Sequence, residues 1–280
     1  MKTRLITAFI ALPILIASII APWYYPDTVW FFVAIAVLAL AAGLYEFFSL
    51  TKKLALKADA GVGFLGASAL ILAFIFDAPA TAPELLMLTL AGFIGLLLIT
   101  QTFRFQKDFS KMLTGIGVTL LGVLYVVFLG GFLISTAVGF ENIPGLSTKL
   151  LLFFLVVMFG SDSAAYFTGK AAGKHKLART ISPGKTMEGL VGGLVAAAGF
   201  AALAIWLFFP ELPYTVGIPL AIAMAAIGVL GDLAESAMKR GSDTKDAATI
   251  LPGHGGLLDR LDSLLLNAPI LYYFARFYFH

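Results

Sequence analysis

Apolar residues in this chain gather into long runs instead of alternating with polar ones. Nine such runs can be drawn, at about 5–23, 28–50, 61–79, 83–103, 112–138, 149–168, 188–209, 214–238 and 260–279. Each lies near the roughly 20 residues that a helix needs to cross the hydrocarbon core of a bilayer. None has the two-residue alternation of a barrel strand, and lipid cannot satisfy an open sheet edge. The pattern therefore predicts an all-α, polytopic membrane bundle of about nine helices. A single membrane domain over 1–280 is expected, its halves 1–150 and 151–280 differing in where their acidic residues fall.

Composition sharpens this. Of 280 residues, 60% are hydrophobic and 12% charged, where a soluble domain carries roughly 25% charged residues. With a mean hydropathy of +0.96 the chain cannot coat a globular surface with polar groups. A soluble enzyme, a disordered regulator and a nucleic-acid-binding module are excluded as classes. Cysteine is absent, so there is neither a disulfide framework nor a thiolate metal site. His175, His254 and His280 lack ligand-like spacing, which argues against zinc. Lys2 and Arg4 before the first apolar run are read as the flank of a first membrane helix and not as a signal peptide.

The net charge of +3 says little, but the placement of the charges says a good deal. If the chain crosses nine times, all of its 19 basic residues except Lys149 and Arg276 fall on one side. The positive-inside rule makes that side cytoplasmic. The expected protein is thus a multi-pass component of a cell inner or plasma membrane, N-terminus in the cytoplasm and C-terminus outside.

The acids divide the chain in two. Before residue 150 most lie in loops or at span ends, with Glu46 near the inner end of the second run as the exception. After residue 150, Asp162, Glu188, Asp232, Glu235, Asp259 and Asp262 all lie within or at the inner ends of apolar runs. An ionisable group in a span costs a few kcal/mol to insert, which marks it as a functional candidate. Residues 1–150 are accordingly expected to pack and residues 151–280 to carry the chemistry.

Spacing supports that division. Asp232, Ser236 and Lys239/Arg240 share one face of the eighth helix, and Asp259 and Asp262 share one face of the ninth. Both helices meet the loop 241–258, so three carboxylates are expected to converge there. Such a group fits a hard divalent cation, and magnesium is usually held by one or two carboxylates together with substrate phosphates. The loop itself, with Lys245, Asp246, His254, Gly255 and Gly256, has the Gly-rich backbone and cationic groups that can cradle phosphate oxygens. Between the sixth and seventh runs, Ser182 and Pro183 fit a helix N-cap and first position, which would aim Lys185 at an anion.

Two motifs are set aside. Gly61-Val-Gly-Phe-Leu-Gly66 matches a dinucleotide fingerprint but has no βαβ unit around it, and small residues at a helix contact explain it. Gly184-Lys185-Thr186 lacks the first glycine and the preceding strand of a phosphate-binding loop. Gly189, Gly192 and Gly193 are read as close helix packing, within the bundle or in a homodimer. The aromatic end, Tyr272 to Phe279, is read as an interfacial belt.

Together, Ser236-Ala-Met-Lys239-Arg240, Lys245-Asp246 and Pro252-Gly-His254-Gly255-Gly256-Leu-Leu-Asp259-Arg260-Leu-Asp262 resemble the signature of the phosphatidate cytidylyltransferases, also called CDP-diacylglycerol synthases. The segment from Asp162 to Glu188 is similar to that family's upstream cytoplasmic region, while residues 1–150 match it only in hydropathy. The resemblance implies metal-dependent transfer of the cytidylyl group of CTP to phosphatidic acid at the cytoplasmic interface of the bilayer. Asp232, Asp259 and Asp262 are then expected to hold one or two Mg2+ ions, a second and different cation being compatible with the site. Lys239, Arg240, Lys245 and Arg260 would neutralise phosphate charge. Ser236, His254, Gly255 and Gly256 would donate hydrogen bonds to phosphate oxygens, and Lys185 would join them. Asp162, Glu188, Asp246 and Ser182 are further candidates. Two classes compete. One is another membrane transferase with metal-bound aspartates, such as a CDP-alcohol phosphotransferase, whose Asp-Gly and Ala-Arg arrangement is not found here. The other is a transporter or channel for an anionic solute, which should place its polar groups near mid-membrane, often in pseudo-symmetric halves, whereas no internal repeat is seen.

Overall fold

In the computed structural model, residues 2–54, 56–78, 83–105, 108–140, 142–241 and 256–279 are described. Each of the nine apolar runs is helical there. In order the helices are α1 (Lys2–Tyr24), α2 (Val29–Lys53), α3 (Ala60–Asp77), α4 (Glu84–Arg104), α5 (Phe109–Gly122), α6 (Leu129–Val138) and α7 (Leu146–Ala172). After a β-hairpin come α8 (Met187–Leu207), α9 (Tyr214–Gly241), α10 (Leu258–Leu265) and α11 (Ala268–Phe279). Among the described residues, seven stretches are long and apolar enough to span a membrane: 26–53, 60–77, 84–104, 109–138, 146–172, 187–207 and 214–241.

Two runs depart from simple rods. The fifth joins α5 to α6 through a π-helical segment, Val123–Phe128. The ninth is broken into α10 and α11 at Leu266–Asn267. Pro269 cannot donate to the carbonyl of Leu265, and its ring crowds that carbonyl, which favours a break just before it. Asn267, fully buried, satisfies the break by donating to the carbonyls of Met224 and Ser263 at 3.0 and 2.8 Å.

The hairpin also corrects the sequence reading. Ser182 and Pro183 do not start a helix, because Ser182–Thr186 (β2) pairs antiparallel with Lys176–Ala178 (β1). Thr186 is the real N-cap of α8, its hydroxyl accepting from the Gly189 amide at 3.1 Å. The pairing continues through the Met187 amide to the carbonyl of His175 and so holds the chain extended past proline.

Small residues set the helix spacing. A Cβ on Gly189 would lie 2.8 Å from the carbonyl of Ala165, and one on Gly193 would lie 3.1 Å from the Ala165 Cβ. The glycines of α8 therefore serve contact with α7 inside the bundle. Gly63 and Gly66 likewise lie beneath Phe48 and Phe93, which is the packing role expected of that motif. The terminal aromatics are only partly a belt. Tyr272 is buried and packs with Phe132 of α6, itself 4.9 Å from Phe74 of α3, whereas Phe277 is exposed.

At the end of the bundle opposite the hairpin, α1, α7 and the α8–α9 connection are tied by charge. Lys149 pairs with Glu211 at 2.5 Å and lies over the Trp23 ring at 5.3 Å. The Lys149 ammonium holds the Glu211 carboxyl below its ordinary value.

Candidate active site

The hairpin, the last turns of α9 and the first turns of α10 meet at one end of the bundle. Their charged side chains fall into two connected groups. In the first, the Lys185 Nζ of β2 lies 2.7 Å from Asp232 Oδ2 and 3.3 Å from the carbonyl of Val229. Ser236, one turn along α9, donates to Asp232 Oδ1 at 3.3 Å. Asp262 is buried and accepts from the Ser263 amide at 2.6 Å, while the Ser263 hydroxyl donates to Asp162 Oδ2 at 3.3 Å.

The second group is centred on Lys239. Its ammonium lies 2.7 Å from Asp259 Oδ1 and 2.5 Å from Glu235 Oε2. Glu235 is 1% exposed, and its other oxygen, Oε1, has no donor among the described residues. The Gly256 amide donates to Asp259 Oδ2 at 3.1 Å. Both groups share α9, because Asp232 with Ser236 and Glu235 with Lys239 are four-residue pairs on adjoining faces.

What brings α10 so close is Gly231. A Cβ there would collide with the carbonyl of Asp262, so only glycine allows the two acidic helices to meet. What orients α10 comes from the far half of the chain. The carboxylate of Glu46 in α2, wholly buried, accepts from the amides of Leu257 and Leu258 at 2.9 and 2.7 Å. These amides are donors that a helix start leaves unpaired, and a negative charge at that end also suits the helix dipole.

The structure thus joins Asp232, Ser236, Lys185, Asp162 and Asp262, and beside them Lys239, Asp259 and Gly256. Arg240 reaches the hairpin instead, its Nε donating to the carbonyl of Ile181 at 3.2 Å. Arg260 is exposed. Glu188 turns away from the site to close the loop before β1. It accepts from the amides of Lys174 and His175 and lies 2.6 Å from His175 Nδ1. Ser182 is held in the hairpin. Lys245, Asp246, His254 and Gly255 lie outside the described residues. Sequence reasoning marked Glu235 as a functional candidate and Glu46 as an exception among the early acids, but gave neither a role in the site. The cost of burying a carboxylate in an apolar run was the available signal for both.

All the acidic donors are hard oxygen ligands. Among the described residues no three carboxylates or histidines already form a group that could hold a metal ion. Two lysine ammoniums stand against them, each 2.7 Å from an aspartate, where a cation of another kind could also bind. The carboxylates outnumber these lysines, and Glu235 Oε1 is left without a donor among the described residues, so the side chains offer oxygen ligands of the kind a divalent cation takes.

Long apolar helices surrounding a mixed acidic and basic site at one end define a multi-pass helical membrane protein built to handle charged groups. Comparison with known proteins makes this specific. The profile of the cytidylyltransferase family matches residues 2–278. A phosphatidate cytidylyltransferase of Bacillus subtilis (strain 168) is 34% identical over 242 residues, covering 85% of this chain and 87% of that one. One from Haemophilus influenzae is 41% identical over 158 residues, about half of each chain (55% and 54%). Another, from Brucella suis, is 42% identical over 129 residues, 46% of this chain and 47% of its own. The chain belongs to the cytidylyltransferase family.

Proposed function

We propose that this chain transfers the cytidylyl group of CTP to phosphatidic acid, giving CDP-diacylglycerol and pyrophosphate. The observation that carries the reading is the pair of Lys–Asp contacts on facing elements, Lys185 with Asp232 and Lys239 with Asp259, in a chain of this family. Such a site offers cations to a polyphosphate and carboxylates to a metal ion within one set of helix ends.

In the proposed reaction a phosphate oxygen of phosphatidate attacks the α-phosphorus of CTP. The bond from that phosphorus to the β-bridging oxygen breaks, and pyrophosphate leaves with the electron pair. The nucleophile is already an anion, so the site has no need of a strong base, and positioning with charge stabilisation does most of the work. Lys185 and Lys239 can exchange a carboxylate for a phosphate oxygen with little movement. Arg240, Arg260 and Lys245 add positive charge. Ser236 and the Gly256 amide, with His254 and Gly255, donate to phosphate oxygens. Asp232, Asp259 and Asp262 would hold magnesium, with Asp162 beside them, and the ion would offset the triphosphate's charge.

Nine crossings are also proposed, with the site facing the cytoplasm. The one-sided distribution of Lys and Arg supports this, since it puts the site where CTP is found and at the level of lipid headgroups. The test is the conversion of labelled phosphatidate by the purified protein in mixed micelles. CDP-diacylglycerol should form with CTP and not with ATP or GTP. Equal use of all three nucleotides, or no lipid product, would contradict the reading.

A further inference from the structure

Tyr125 lies in the π-helical segment Val123–Phe128, which belongs to the half of the chain expected only to pack. A π-helical turn is rare and frequently marks a functional site. Here the segment abuts the acidic helices. A Cβ on Gly43 of α2 would meet Val126 at 3.2 Å, Leu261 at 3.6 Å and Leu258 at 3.9 Å. The neighbour of Tyr125 and the leucines immediately before Asp259 and Asp262 therefore crowd one point on α2. The Tyr125 ring packs on Phe47 with centroids 6.4 Å apart, next to the Glu46 that caps α10.

Tyr125 is 7% exposed, and its hydroxyl is buried without a hydrogen-bond partner among the described residues. A buried phenol ordinarily finds a partner, so an orphaned one calls for an explanation. Its surroundings supply one. The neighbouring Val126 shares its point of contact on α2 with the leucines that precede Asp259 and Asp262, which sets this segment against the acidic turns of α10. A donor without an acceptor thus lies in a segment packed against a site where, among the described residues, Glu235 Oε1 is an acceptor without a donor.

We propose that Tyr125 is a positioning residue of the site, its O–H being the donor that orients a carboxylate of α10 when nucleotide and cation bind. Carboxylates that hold a metal ion are themselves held by hydrogen bonds, and losing such a bond typically costs 10- to 100-fold in affinity or activity. The inference rests on the proposed cytidylyl transfer. It also gives the N-terminal half a direct part in the chemistry.

The test is Tyr125→Phe in the full-length, detergent-purified chain, which removes one oxygen and keeps the ring. The ligand-free Tm should be unchanged or raised, because no protein hydrogen bond is lost. The kcat should fall about tenfold with both KM values nearly constant, and the magnesium concentration giving half of the CTP-dependent thermal shift should rise about tenfold. Tyr272→Phe serves as the structural contrast. Its hydroxyl donates to the carbonyl of Ala78 and accepts from Arg276, so that variant should lose Tm and keep kcat. A Tyr125→Phe protein with wild-type kcat and magnesium response would overturn the proposal, as would one whose activity loss is matched by a fall in Tm. If the wild type makes no CDP-lipid, the reaction itself is wrong, and the magnesium-dependent thermal shift still decides the role of Tyr125.

Discussion

At the scale of single residues, the account turns on ion pairs that can exchange partners. Lys239 holds Asp259 and buried Glu235 together, so removing charge at Asp259 leaves Lys239 still paired with Glu235. Asp259→Asn is expected to lower turnover by at least about 100-fold, and added magnesium should not restore it. Because Glu235 still compensates Lys239, the helices should survive the change, and circular dichroism should accompany the assay to show it. Near-normal turnover would remove Asp259 from the site. Lys176 is exposed on the hairpin, and Lys176→Ala should leave kcat/KM within about twofold of wild type. The carboxylates were legible in the sequence because a charge in an apolar run has few explanations other than function. Their partners were not. That Lys185 meets Asp232, 47 positions away, depends on a hairpin that no periodicity announces.

At the scale of elements, α10 is short and is held by its neighbours. Its eight residues are too few to be stable alone, so contacts with α9 and α2 must fix it. Gly231→Ala should force α9 and α10 apart and abolish activity, with a fall in Tm. Each hydrogen bond from an amide to the Glu46 carboxylate contributes about 1.5–3 kcal/mol. Glu46→Gln keeps one acceptor oxygen and should retain the fold with reduced kcat, whereas Glu46→Ala should lose several degrees of Tm as well. Equal activity in both variants would show that the cap does not position the site. The helices themselves could be read from the sequence, since a run of about 20 apolar residues has one common cause. The break at Asn267 could have been read from Pro269. The cap by Glu46, more than two hundred positions from the amides it receives, could not, because it exists only once α2 and α10 are packed.

At the scale of the whole molecule, the sidedness read from Lys and Arg is open to direct test. The chain has no cysteine, so single cysteines can be placed without a background. A cysteine at Lys176 should react with an impermeant maleimide only in inside-out vesicles, and one at Pro210, beside the Lys149–Glu211 pair, only in right-side-out ones. The reverse pattern would invert the proposed topology.

The central claim is the reaction, and pyrophosphate release tests it most directly. Purified protein should release pyrophosphate only when phosphatidic acid, CTP and magnesium are all present, with one CDP-diacylglycerol formed per pyrophosphate. Release that persists without phosphatidic acid, or no release from protein shown to be folded, would contradict the account.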